Sequence, residues 1–159
     1  MNTEQQEAFM REAIALSLSN IKTCNGGPFG AVIVKNGEII ARGANNVTST
    51  NDPTAHAEVV AIRQACERLQ TFQLTGCEIY ASCESCPMCL GAIYWARLDK
   101  LYYANTKTDA AAINFDDKFI YEELEKPLDQ RSLFTRQLLR DEALEAFKKW
   151  SQMDEKIEY

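Results

Sequence analysis

The sequence predicts an α/β fold, a three-layer α/β/α sandwich around a mixed sheet. Three observations carry that expectation. The chain has 159 residues, of which 46% are hydrophobic, enough to bury one sizeable core. Asn36-Gly37 separates two β-type runs and is a strong hairpin signal, because both positions tolerate φ > 0. Beyond that hairpin, helical and extended patterns alternate. A β-α-β-α-β order places helices over a sheet that contains parallel strands.

Each element follows from local chemistry. Phe9, Ala13 and Leu16, with Ile14, Leu18 and Ile21, form helix-spaced rows, so residues 3–21 read as an amphipathic helix. Gly26-Gly27-Pro28 breaks it. Residues 29–35 and 38–44 are the two hairpin strands. Asn51-Asp52-Pro53-Thr54 is a loop with N-cap chemistry, and Val59, Val60, Ile62 and Leu69 indicate a helix after it that ends near Leu69. Residues 77–82 read as a third strand. Pro87 suits the first helical position, so a helix is expected through about Ala96. Residues 100–104 give a fourth strand. The remainder reads as mostly helical and more charged, with Trp150, Met153 and Ile157 as a last apolar stripe at i, i+3, i+7.

Composition narrows the function. Asp and Glu number 23 against 17 Lys and Arg, a net charge of -6, which argues against a nucleic-acid partner. No apolar run approaches the roughly 20 residues that span a bilayer, so no membrane partner is expected. The N-terminus carries Glu4 and Glu7 and no basic region ahead of an apolar stretch, unlike a signal peptide. The chain therefore reads as cytoplasmic. In a reducing compartment its six cysteines are better read as metal ligands or redox thiols than as disulfides.

His56-Ala57-Glu58 and Cys83-Glu84-Ser85-Cys86-Pro87-Met88-Cys89 are the segments that carry chemistry, and His56 is the only histidine. Zinc binds imidazole nitrogen and thiolate sulfur, and catalytic zinc sites use three protein ligands with a fourth position open. His56, Cys86 and Cys89 supply that set. Cys86 and Cys89 lie three apart at a predicted helix start, so both thiolates can face one point where the helix N-terminus favours negative charge. Two thiolates, a neutral imidazole and Zn2+ sum to zero charge, which leaves the ion a strong Lewis acid. Glu58 is placed to take a proton and return it to a leaving group. Positions 56 and 58 diverge in a regular helix, so the pair must sit in a first turn. Two other readings fit some of these residues. Cys83 as a fourth ligand would give a closed, structural Cys3His site, and the Cys-x-x-Cys pairs could form a thiol redox switch. Neither explains the His-x-Glu element, which favours catalysis.

These motifs resemble those of the zinc-dependent nucleobase and nucleoside deaminases, whose signature is H-x-E…P-C-x-x-C. The chain departs from it once, with Ser85 in place of the proline. Loss of that proline frees the unfolded chain, worth about 0.4–1 kcal/mol where proline fits without strain. Gly26-Gly27-Pro28-Phe29-Gly30-Ala31-Val32, Asn45-Asn46-Val47, the segment from Asn51 to Glu58, Ala92-Ile93-Tyr94-Trp95-Ala96-Arg97, Phe115-Asp116-Asp117 and the final Glu158-Tyr159 are similar to segments of the small bacterial guanine deaminases. The likeness covers nearly the whole chain.

The resemblance implies a five-stranded mixed sheet, so a short fifth strand is expected in the tail. It implies one zinc ion per subunit, Glu58 as the catalytic proton carrier, and deamination of guanine to xanthine and ammonia. It also implies that Asn45 and Asp117 hydrogen-bond the purine. Asp117 would accept from the 2-amino group and ring N–H, a donor pair that guanine has and adenine lacks. The Ala57 N–H would bind the ring carbonyl or a neighbouring ring atom, and Phe29 and Trp95 would pack on the ring. On the residues alone, Phe29 and Trp95 read as core, Asp117 as a helix cap and Asn45 as a turn residue.

Those enzymes are homodimers that exchange C-terminal segments, which here implies that about residues 140–159 cross to a partner and that Tyr159 closes the partner's active site. The residues alone also fit a helix packed on its own subunit. The rivals are a tRNA adenosine deaminase and a guanosine, cytosine or other small-base deaminase. Residues 140–159 hold four basic and six acidic side chains, a poor surface for phosphates. A different small base would be marked by a different residue at the place assigned to Asp117.

Overall fold

The computed structural model describes residues 2–159. Helix α1 (Thr3–Thr23) starts at a capping box, in which the Gln5 N–H donates to the Asn2 side chain and the Asn2 N–H to the Gln5 side chain. Strands β1 (Gly30–Lys35) and β2 (Glu38–Ala44) make the predicted hairpin, with Asn36 and Gly37 at φ of 53° and 81° as its turn requires. A short helix, α2 (Val47–Thr50), precedes α3 (Ala57–Leu69). Then come β3 (Cys77–Cys83), α4 (Pro87–Trp95), β4 (Lys100–Asn105) and α5 (Lys107–Ala111). Helices α6 (Lys118–Glu125) and α7 (Arg140–Ser151) flank a single 3-10 turn at Leu128–Gln130.

The chain divides into two compact units, one ending at Asp117 and one spanning Lys118–Tyr159. The first holds the sheet, in the order β2-β1-β3-β4. Strand β1 runs antiparallel to both β2 and β3, and β3 runs parallel to β4. Alternation along β1 and β3 sends residues to opposite faces. Ala31, Ile33, Cys77 and Ile79 pack with Ala57, Ala61 and Ala65 of α3 and Ile93 of α4. Val32, Val34 and Tyr80 pack with Phe9, Met10 and Leu16 of α1. The result is the expected α/β/α layering.

Three expectations are corrected. Among the described residues the sheet has four strands, not five. After β4 the chain turns at once into α5, where Thr106 and Asp109 form a second capping box, and the later segments form helices and irregular loops. The loop at residues 51–54 does not cap α3. Asp52 instead accepts from the Thr54 N–H at 2.8 Å and its hydroxyl at 2.6 Å, and His56 occupies the cap position. Trp150, Met153 and Ile157 do not form one helical stripe, because α7 stops at Ser151, where the Lys156 ammonium donates to the Ser151 carbonyl at 2.9 Å.

The second unit is different in kind. No residue from 118 to 159 is buried. Leu133, Phe134, Leu138, Leu139 and Phe147 are all exposed.

Candidate active site

Helices α3 and α4 begin in the same way. His56 and Cys86 are their N-cap residues, both with extended backbone, at φ -68°, ψ 156° and φ -65°, ψ 167°. Their carbonyls accept the first helical bonds, from Val60 and Leu90, each at 2.9 Å. Neither side chain caps its own helix, so both are free to point elsewhere. Pro87 at the first position of α4 forgoes an N–H that a helix start leaves unpaired in any case. Placing His56 ahead of the helix and Glu58 within its first turn removes the divergence expected of residues two apart in a regular helix.

The side chains meet. His56 Nδ1 lies 3.6 Å from Cys86 Sγ and 3.5 Å from Cys89 Sγ. A tetrahedral zinc with nitrogen at about 2.05 Å and sulfur at about 2.3 Å sets the two donors about 3.6 Å apart. The three ligand atoms lie within 4.8 Å of one another, so the donor set fits zinc in both chemistry and spacing. Cys83 stands outside this group. It is buried at the end of β3 with its thiol 3.6 Å from the Thr106 carbonyl, and burial pushes that thiol up to about 11. A closed four-ligand site is therefore not formed.

Charge is arranged to suit a cation. A hydrogen bond from Cys89, reinforced by His56, brings the Cys86 thiol down to about 4, while the same bond and burial push Cys89 up. A bound zinc ion would hold both as thiolates. The Cys86 thiolate in turn raises His56. Glu58 is only 8% exposed, and burial pushes its carboxyl up. Its own N–H and the Ser85 hydroxyl act in the other direction by favouring the charge. A buried carboxyl raised above its ordinary range suits proton transfer. Ser85 is therefore a neighbour of Glu58 as well as the departure from the signature.

Asn45 and Phe29 are joined, the Asn45 N–H donating to the Phe29 carbonyl at 3.1 Å. Phe29 meets Phe115 edge-on with ring centroids 5.0 Å apart; Phe115 figured in the sequence only as part of a similar segment. Asp117, partly buried, is held up by burial and by the negative charge at Cys86. Ala57 is buried between His56 and Glu58. Trp95, at the end of α4, is 63% exposed, with the Arg97 guanidinium 5.9 Å from its ring centre. Tyr159 belongs to the second unit and is exposed.

Comparison with known proteins places this geometry. Residues 3–105 match the model of the cytidine and deoxycytidylate deaminase zinc-binding region. A guanine deaminase of Bacillus subtilis (strain 168) is 53% identical over 153 residues, covering 96% of this chain and 98% of that protein. The X-ray structure of guanine deaminase from Bacillus subtilis superposes with a TM-score of 0.95 at 52% identity, covering 100% of this chain and 99% of that one. A tRNA-specific adenosine deaminase of Aquifex aeolicus (strain VF5) is 49% identical over 77 residues, 48% of this chain and 51% of that protein. The chain belongs to the cytidine and deoxycytidylate deaminase zinc-binding family, and its His56, Cys86 and Cys89 have the arrangement that a zinc ion requires.

Proposed function

We propose that this protein is a guanine deaminase that converts guanine and water to xanthine and ammonia. The observation that carries the reading is the similarity to a guanine deaminase from one end of the chain to the other. Similarity to tRNA-specific adenosine deaminases is weaker, 49% identical over 48% of this chain in one and 37% over 71% in another.

His56 Nδ1, Cys86 Sγ and Cys89 Sγ would hold the zinc ion. When bound, zinc supplies Lewis-acid activation of the attacking water. Glu58 takes the two protons of the attacking water in turn, giving one to the ring nitrogen as the carbon–oxygen bond forms and the other to the exocyclic nitrogen as the carbon–nitrogen bond breaks, so ammonia leaves neutral and a carbonyl replaces the amine. Asn45 and the Ala57 N–H bond the base, and Asp117 accepts from the 2-amino group and ring N–H. Phe29 and Trp95 flank the ring. A base without that donor pair leaves a carboxylate unpaired, the basis of discrimination.

The working unit is a homodimer in which the C-terminal segment of each chain lies on its partner and brings Tyr159 to the partner's site. A C-terminal unit with many exposed apolar side chains and no buried residue supports this. The compartment is the cytoplasm, in keeping with six unpaired cysteines.

Two experiments decide the matter. Zinc-loaded protein is offered guanine, adenine, cytosine and their nucleosides, and ammonia release is measured. Guanine should be turned over far ahead of the rest, and release from adenosine or cytosine instead would replace the reading. Removing the last few residues, including Tyr159, should cut turnover sharply while zinc content stays intact. Full activity in that truncation would sink the role of the tail.

A further inference from the structure

Helix α1 sends one polar side chain into the interior for which apolar packing gives no reason. Asn20, 4% exposed, donates from its Nδ2 to two main-chain carbonyls, those of Gly27 and Asn45, each at 2.8 Å. One carbonyl lies ahead of β1 and the other just after β2, so a single amide ties together the two ends of the hairpin. Burying an amide is unfavourable unless its hydrogen bonds are made, and here both donors have acceptors.

Asn45 completes the arrangement. Its Oδ1 accepts from the Gly27 N–H and the Val47 N–H, both at 3.2 Å. The Phe29 N–H donates back to the Gly27 carbonyl at 2.8 Å. Two backbone donors facing one side-chain atom fix that atom as the oxygen, since the reverse orientation would set N–H against N–H. The Nδ2 of Asn45 has no protein acceptor among the described residues, so it is the end left to meet a ligand. The fit is close: a Cβ on Gly26 would overlap both the carbonyl and the Oδ1 of Asn45.

We propose that Asn20 is a positioning residue that clamps the Gly26-Gly27 turn to Asn45 and thereby holds the Asn45 amide as a pure donor toward an acceptor atom of the purine. The proposal rests on the guanine deaminase reading. A base with a carbonyl or an unprotonated ring nitrogen at that place is accepted, and one with an amino group there is refused.

The test uses the zinc-loaded protein with Asn20→Ser, which keeps at most one donor, and Asn20→Asp, which has none at neutral pH. KM for guanine and the inhibition constant of the product xanthine should rise together by about tenfold, the equivalent of one net hydrogen bond. In the same variants kcat should stay within about threefold, because only binding is loosened, and zinc content should be unchanged. Lower melting temperatures with KM and xanthine inhibition as in the parent would reduce Asn20 to a structural residue and overturn the proposal. Should both variants fail to fold, side-chain amide NMR of the unmodified protein decides. Xanthine should shift the Asn45 amide signals, while those of Asn20 stay protected from solvent exchange. Exchange at Asn20 as fast as at an exposed asparagine overturns the clamp. A parent protein that neither deaminates guanine nor binds xanthine fails the functional reading itself, whereas a competent parent with indistinguishable variants fails only the clamp.

Discussion

Toward α3 the sheet meets mostly small side chains; on the face toward α1 its own tyrosines meet Phe9, Met10 and Leu16. Ala57, Ala61 and Ala65 let α3 come down on the hairpin until backbone touches backbone, and a Cβ on Gly43 would overlap the Ala57 carbonyl and the Ala61 nitrogen. On the other face, Tyr80 stacks on Tyr102 with centroids 4.6 Å apart and meets Phe9 at 5.5 Å. A polar chain runs beside them, Tyr80 donating to Glu78 at 3.0 Å and Lys100 to Glu78 at 2.7 Å. The catalytic face is thus held by main-chain approach, which fixes position. The opposite face has one such approach, where a Cβ on Gly30 would overlap the Ala13 carbonyl, and is otherwise held by side-chain area and hydrogen bonds, which supply stability and tolerate adjustment.

That contrast can be broken from either side. The largest effect is expected at the site: Glu58→Gln should keep its zinc by metal analysis yet lose about 100- to 10,000-fold in kcat, the range of a general acid–base group. Retained turnover would remove the proton role. Gly43→Ala comes next, because the added methyl forces α3 away from the hairpin. A loss of about 1–3 kcal/mol, as for other overpacked positions, should appear in denaturant melts. Activity should fall with it, since Ala57 lies between His56 and Glu58. An unchanged melt would show that the close approach is not required.

The smallest effect is expected from Glu78→Gln on the α1 face. Lys100 beside Glu78 holds its carboxyl below the ordinary 4.5. A carboxyl depressed in the folded state stabilises above its unfolded pKa, and that contribution is lost as pH falls through the folded value. The variant should therefore be less stable than the parent near neutral pH, and the gap should close in acid, with kcat unaffected throughout. Stability melts across the acid range measure this. A gap that persists after the carboxyl is protonated would mean that packing, not charge, is at work.

How much was legible depended on whether the signal was local. The hairpin turn, the four strands and the Cys86–Cys89 pair were readable, because Asn36-Gly37, alternation and Cys-x-x-Cys are each complete within a few residues. The cap of α3 was misplaced because caps are recognised by side chains that bond their own helix, and His56 does not. Asp52 looked like a cap and is used in a turn instead. The fifth strand was inferred from resemblance, and the Thr106–Asp109 capping box overrides it locally. Asn20 carried no signal, since its partners lie 7 and 25 residues away. At the end of an amphipathic helix it reads as one more solvent-facing polar residue.

Setting the metal ligands at helix starts has an evolutionary consequence. The ligands are anchored by where α3 and α4 begin, while Asn45, Phe115 and Asp117 stand in connecting segments outside the strands and helices. On the proposed reading, the base contacts of Asn45 and Asp117 are thereby carried by other stretches of chain than the metal site. Selection can redraw the connecting stretches to suit a new base while the frame that positions the ion is inherited intact, so one ancestral catalyst can give rise to descendants that share a reaction and differ in what they accept.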